Sequence, residues 1–154
     1  VSFPASSSEH YEARFQEAIT QAKVLNISFM AFGDLFLDDV RAYRERMLAG
    51  SGIALTFPFW GRPTAILPKE MLACGIKGVL TCVDPRKLDS KFAGRDFDGE
   101  LLAELPPGVD PCGENGEFHT FVHAAPGFRE PISIRKGEIA EREGFFFADV
   151  LKGF

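Results

Sequence analysis

The sequence predicts an α/β fold, a partial doubly wound parallel sheet followed by a smaller C-terminal α+β domain. Three observations carry this expectation. Short apolar, β-rich runs alternate with amphipathic helical segments through the first half, the pattern of parallel strands joined by crossover helices. Beyond Asp84-Pro85 the texture changes to short charged helices and then to strands separated by tight turns. The 154 residues, 45% of them apolar and 12% aromatic, suffice for one domain or one and a half with a real core.

Ser6, Ser7, Ser8 and Glu9 form a serine-rich cap, and Tyr11, Phe15, Ala18, Ile19 and Ala22 follow at helical spacing, so an amphipathic helix is expected first. Residues 27–32 are a short apolar run ending at Gly33-Asp34, the pattern of a buried parallel strand. Asp38 and Asp39 open a second helix with Val40, Tyr43 and Met47 along one face, and Gly50-Ser51-Gly52 stops it. A second buried strand is expected over 53–57, a turn at Pro58-Phe59-Trp60-Gly61, a short helix over 63–74 and a third parallel strand over 78–83.

The second half predicts helices over 88–92 and 97–105, a loop closed by Pro106-Pro107-Gly108, and a strand from Glu117 to Val122. Another strand is expected over 131–139, with a turn at Glu143-Gly144 before Phe145-Phe146-Phe147. The expected domain boundary falls near Cys74, with 1–74 the C-terminal part of a nucleotide-binding type of α/β layer and 75–154 the α+β domain. Three parallel strands make only the edge of a doubly wound sheet. The expectation is therefore a portion of a longer protein, residues 1–4 being the tail of an earlier strand whose open edge would favour a homodimer.

Sixteen Phe against two Tyr and one Trp point to core packing rather than to a platform for stacking bases. A net charge of -5 argues against a broad nucleic-acid footprint, because phosphate binding needs a field of the opposite sign. Cys74, Cys82 and Cys112 are an odd number without short paired spacing, so neither a disulfide framework nor a zinc site is expected. No apolar run has the length of a membrane span and no basic-then-apolar leader is visible, so the expectation is a cytoplasmic protein with no membrane partner.

The densest polar cluster lies at residues 108–120: Asp110, Cys112, Gly113, Glu114, Asn115, Gly116, Glu117, His119 and Thr120 within thirteen positions. Its glycines permit sharp bends and close approach of a ligand to the backbone. Strand alternation is expected to set Glu117, His119, Phe121 and His123 on one face. A metal site from Cys112, His119 and His123 is not expected, since the two histidines would lie about 13 Å apart on a strand. Gly33-Asp34 sits where ligands bind in open α/β sheets, and Asp34 suits a ribose hydroxyl, a magnesium-bound water or the cap of the following helix. Trp60 is as well suited to packing as to a pocket wall.

Phe32-Gly33-Asp34 with Asp38-Asp39 and Tyr43, Pro58-Phe59-Trp60-Gly61, Phe92-Ala93-Gly94-Arg95 and above all the Gly-Glu-Asn-Gly-Glu-Phe-His-Thr stretch, 113–120, resemble the diphthine–ammonia ligase family. The resemblance implies an adenine nucleotide α-hydrolase-like sheet of the PP-loop ATP pyrophosphatase type, carrying ATP with Mg2+, joined to a smaller acceptor-side domain. ATP would adenylate a carboxylate, on a protein or otherwise, and ammonia would displace AMP to leave an amide; family members do this to diphthine on elongation factor 2. By this likeness Phe32, Gly33 and Asp34 lie by the nucleotide. Glu114, Glu117 and His119 are the candidates for catalysis. Asp110, Cys112, Gly113, Asn115, Gly116, Thr120, Trp60 and Arg95 line the acceptor. The family's Ser-Gly-Gly-Lys-Asp-Ser phosphate loop is not among these residues, so the ligase reaction is expected to need it from upstream. The alternatives are a non-catalytic module that keeps the acceptor pocket and a thiol- or metal-dependent hydrolase built on Cys112 and His119.

Overall fold

The computed structural model describes residues 8–153. The strand tail expected at residues 1–4, and Ser6 and Ser7 of the predicted cap, lie outside them. The chain divides into two compact units, one ending at Arg62 and one beginning at Pro63.

The first unit is built from α1 (Ser8–Val24), β1 (Phe29–Ala31), α2 (Asp38–Leu48) and β2 (Ala54–Thr56). Phe15, Ile19 and Ala22 recur at helical spacing because that stripe of α1 faces the core. Ile19, Ala22, Leu48 and Ile53 are buried there, with Phe15, Met30, Phe32 and Leu55 packed against them. Full burial of each of Ile19, Leu48 and Ile53 stabilises by about 1.5–3 kcal/mol. The two strands pair in parallel, Met30 opposite Leu55, with α2 as the crossover. Only one sheet face meets that core: Met30 is half-buried while Phe29 is 68% exposed. The fully buried strand expected over 27–32 is therefore a three-residue strand covered on one face.

The second unit holds α3 (Leu67–Ala73), β3 (Lys77–Val83), a 3-10 turn (Ser90–Phe92), β4 (Asp96–Phe97), α4 (Gly99–Glu104), β5 (Phe118–Ala124), β6 (Ile134–Arg142) and β7 (Phe145–Lys152). Strand β3 is its centre. β5 runs along one edge, while β4 and β7 share the other, Val79 opposite Asp96 and Cys82 opposite Phe147. Between those two partners Gly94 N donates to Leu80 O (2.8 Å) and Leu80 N donates to Arg95 O (2.9 Å), so the edge stays hydrogen-bonded where β4 gives way to β7. β6 and β7 form a hairpin whose tip, Glu143 (φ 53°) and Gly144 (φ 79°), has the two left-handed residues of a type I′ turn.

The expectation of a third parallel strand over 78–83 is corrected: β3 is antiparallel to β4, β5 and β7, and parallel pairing within the described residues is confined to β1 and β2. The fold is mixed α/β, not a doubly wound parallel sheet. A central strand covered on both faces reads as a continuous apolar run in either kind of sheet, and Val79, Leu80 and Val83 have no exposed surface. Leu80 and Val83 cluster with Leu88, Phe92, Ala93, Phe97, Leu101, Phe118 and Ala148, with Leu72 of α3 packed alongside.

Candidate functional site

The site begins where β3 ends. Asp84, 2% exposed, follows the strand directly, and its N–H donates to Glu117 O (2.9 Å), tying the start of β5 to the end of β3. Its carboxylate accepts a fork from Arg86, Nε to Oδ1 and Nη2 to Oδ2, both at 2.8 Å, and the guanidinium lies 5.3 Å from the Phe145 ring. Arg86 thereby holds the Asp84 carboxyl below the usual carboxylate range, against the opposing effect of burial. A depressed folded-state pKa stabilises the fold above the unfolded pKa, and that contribution is lost as pH falls through the folded value. Arg86→Ala is expected to flatten the acid limb of a urea-midpoint-against-pH curve; an unchanged limb would show that the pair does not couple folding to protons.

Residues 108–117 fold over this point as a loop held by its own side chains. Glu117 Oε1 accepts from Asp110 N (2.9 Å) and Asn115 Nδ2 (3.1 Å). Asp110 in turn takes Glu114 N on Oδ2 (2.9 Å) and Gly113 N on its backbone oxygen (2.9 Å). Lys87 Nζ reaches across to Asn115 O at 2.5 Å. Gly113 has φ +70°, and a Cβ built there would lie 2.9 Å from Phe118 O, so the bend requires glycine. Asp110 and Glu117 are 7% and 3% exposed, and one oxygen of each, Asp110 Oδ1 and Glu117 Oε2, is buried with no hydrogen-bond partner. A cleft of about 390 Å³ opens beside them, lined by Lys87, Pro106, Pro107, Gly108, Val109, Asn115 and Glu117.

The predicted polar cluster is thus one connected structure from Asp110 to Glu117. His119 and Thr120, both exposed, follow it in β5. The expectation that Glu117 and His119 share a face is corrected. Glu117 precedes the strand and is buried, whereas His119 sits at a bulge opposite Cys82 where Thr81 is the extra residue, its Oγ1 donating to His119 O (3.3 Å). His123 instead lines a separate cleft of about 510 Å³ with Lys77, Asp96 and Asp98. Arg95 is engaged by Glu104 of α4, Nη1 to Oε2 at 2.5 Å. Sequence reasoning passed over Asp84, Arg86 and Lys87. The available signal was an aspartate immediately after a continuous apolar strand, where a charge is affordable only with a partner.

Cys112 Sγ lies 3.9 Å from Thr64 O. Burial, and then the charges of Asp110 and Glu114, push its thiol up to about 12. The thiol therefore stays protonated near neutrality, which is unsuited to a nucleophile. Iodoacetamide at about pH 8 is expected to modify Cys112 at least about 100-fold more slowly than the exposed Cys74; equal rates would contradict this environment.

In the first unit the ligand-facing candidates stand at the end of β1. Phe32 lies between Phe15 (6.3 Å) and Phe57 (5.7 Å), with the Arg44 guanidinium 5.1 Å from its ring, so its ring is already packed. Gly33 is exposed. Asp34 does not cap α2, whose N-cap is Leu37; it faces Arg44 at 3.6 Å, and its Oδ2 has no hydrogen-bond partner. Arg44 Nε is likewise buried without a hydrogen-bond partner, so the two groups face each other as an ion pair just beyond hydrogen-bond distance. Trp60 packs edge-on against Phe57 (5.9 Å), and Arg41 lies 4.7 Å from its ring.

The Diphthamide synthase C-terminal domain family matches residues 65–152, and the chain belongs to that family. Among curated relatives it is similar to diphthine–ammonia ligase of Bos taurus, 32% identical over 96 residues, covering 59% of this chain and 36% of the relative. The Danio rerio diphthine–ammonia ligase is 30% identical over 131 residues, 82% of this chain and 51% of the relative. The chain thus spans between about a third and a half of the length of the curated relatives it matches. Among the described residues no helix is long and apolar enough to cross a membrane.

Proposed function

We propose that this chain contributes the acceptor side of an ATP-dependent amide-forming ligase. The observation that carries the reading is the self-bonded 110–117 loop with its two buried acids, lying within the span that matches the family. In the proposed reaction a carboxylate oxygen of the acceptor attacks the α-phosphorus of ATP and pyrophosphate leaves. Ammonia then attacks the acyl carbon of the adenylate; the C–N bond forms, the C–O bond to AMP breaks, and one proton is released. Mg2+ bound with ATP would neutralise phosphate charge.

Within this scheme Glu117 and Asp110 fix the loop, while Gly113 and Gly116 let it bend. Asn115 and Lys87 border the cleft that receives the acceptor. Glu114 and His119 are the groups available to move protons from nearer the surface, with Thr120 beside them and Cys112 filling the loop's inner side. Arg95, engaged by Glu104, serves the acceptor by holding its own segment. Asp34, with Phe32 and Gly33, is suited to a ribose hydroxyl on the nucleotide side. The raised Cys112 thiol disfavours the thiol-hydrolase alternative.

The test uses the complete gene product with ATP, Mg2+ and elongation factor 2 bearing diphthine as a probe acceptor. Release of AMP and pyrophosphate that requires both ammonium and acceptor is the expected result. Saturable acceptor binding with no AMP release under any combination would favour a non-catalytic binding module instead.

A further inference from the structure

We infer that the cleft of about 510 Å³ at the start of β3 binds a free apolar α-amino acid in its zwitterionic form. This cleft shares no lining residue with the one beside the 110–117 loop, and the inference goes beyond the ligase reading without depending on it.

Two opposite charges line the cleft without meeting. Gly78 and Phe97 are partners in the β3–β4 ladder, so Lys77 and Asp98, one position further on, are neighbours across the strands. Among the described residues no ion pair or side-chain hydrogen bond engages Lys77. Asp98 caps α4 with one of its two oxygens, Leu101 N donating to Oδ1 at 2.8 Å. Asp96, the other acid of the cleft, is taken by Lys136 Nζ at 2.9 Å. Arg95 feels the charge of Asp98, but its guanidinium is bonded to Glu104. The charges facing the space therefore reduce to one cation and one anion, side by side. Their complement is a molecule with one charge of each sign held close together, as on the α-carbon of an amino acid.

His123 places a further polar group on the Lys77 side. Along β5 the register passes from Ala124 opposite Lys77 to Val122 opposite Gly78, so His123 is the extra residue of a bulge, a device that re-aims a side chain. Its imidazole can donate a hydrogen bond to the same carboxylate that Lys77 attracts. The remaining side chains of the wall are apolar, Leu72, Ile76 and Phe97, and call for an apolar body on the ligand. The volume lies within the range of about 300–1,000 Å³ usual for small-molecule sites. Asp96 and Asp98 oppose a phosphate or a dicarboxylate, whereas a zwitterion brings no net charge.

Isothermal titration of the complete gene product with L-leucine and L-phenylalanine, in the absence of ATP and acceptor, tests the site. At least one of the two is expected to bind saturably below about 10 mM. Its N-acetyl derivative, which lacks the ammonium, and its amide, which lacks the carboxylate, should each bind at least about tenfold more weakly. Lys77→Gln should weaken the amino acid at least about tenfold and abolish the preference over the amide, while the preference over the N-acetyl form persists. Asp98→Asn keeps an acceptor for the cap and should show the reverse pattern; if it does not fold, Lys77→Gln, at an exposed position, carries the test. No saturable binding of either amino acid, equal binding of a singly charged derivative, or unchanged affinity in a folded variant overturns the inference.

Discussion

Glu117→Ala is expected to destabilise the second unit by about 3 kcal/mol. The side chain is almost fully buried and closes the loop from both directions, accepting Asp110 N and Asn115 Nδ2 on one oxygen. Removing it leaves the Asp110 N–H without an acceptor in a buried position, and the loss of hydrogen bonds to a charged group is the larger part of the effect. Removing the orphan Oε2 recovers some desolvation, which is why the estimate is not higher. Glu117→Gln retains an acceptor at the same place and should lose less than about 1 kcal/mol. Urea unfolding of the two variants side by side separates the contribution of the hydrogen bonds from that of the charge. Equal losses in both would mean that charge, not bonding, holds the loop.

The second large effect is expected at Gly113. Its backbone is left-handed at φ +70°, and a Cβ would sit 2.9 Å from the Phe118 carbonyl oxygen and 3.1 Å from its ring. Phe118 is 4% exposed in the main core, so neither the carbonyl nor the ring has room to retreat. Gly113→Val combines backbone strain with that collision and should cost about 3 kcal/mol. Gly127→Ala, where a Cβ meets nothing within 4 Å and φ is not left-handed, is the control and should stay within about 0.5 kcal/mol. A Gly113 variant as stable as the control would mean the loop has a second conformation that accepts a side chain.

Much of the local structure was legible in the sequence because it depends on neighbours along the chain. The stripe Phe15, Ile19, Ala22 on α1, the acids opening α2 and the Glu143-Gly144 turn are set by helical period, helix dipole and left-handed backbone preference. The pairing of β3 was not legible, because burial on both faces erases the alternation that separates strand types, and only the partners' positions decide direction. The extent of β1 was misjudged for a related reason: residues 27–32 are apolar except for Ser28, but Phe29 and Ile27 remain exposed.

The loop at 108–120 stood out by composition, since three acids, three glycines, an amide, a thiol and an imidazole rarely crowd together without purpose. Its inner logic was not visible. Whether a carboxylate faces solvent, a backbone N–H or another acid depends on where the chain turns: Glu117, just before β5, is buried, while His119 within the strand is exposed. Asp84 and Lys87 escaped notice because they approach the loop from β3, about thirty residues away in sequence.

The account's central claim is that this loop serves the amide-forming half of the proposed reaction rather than nucleotide activation. The most direct measurement compares the two half-reactions in the double variant Glu114→Gln, His119→Ala of the complete gene product with diphthine-bearing elongation factor 2. ATP–pyrophosphate exchange reports adenylation, and amide formation reports attack by ammonia. The account predicts that amide formation falls at least about 100-fold while exchange changes by less than about threefold; amide formation at the wild-type rate, or loss of exchange to the same degree, would contradict it.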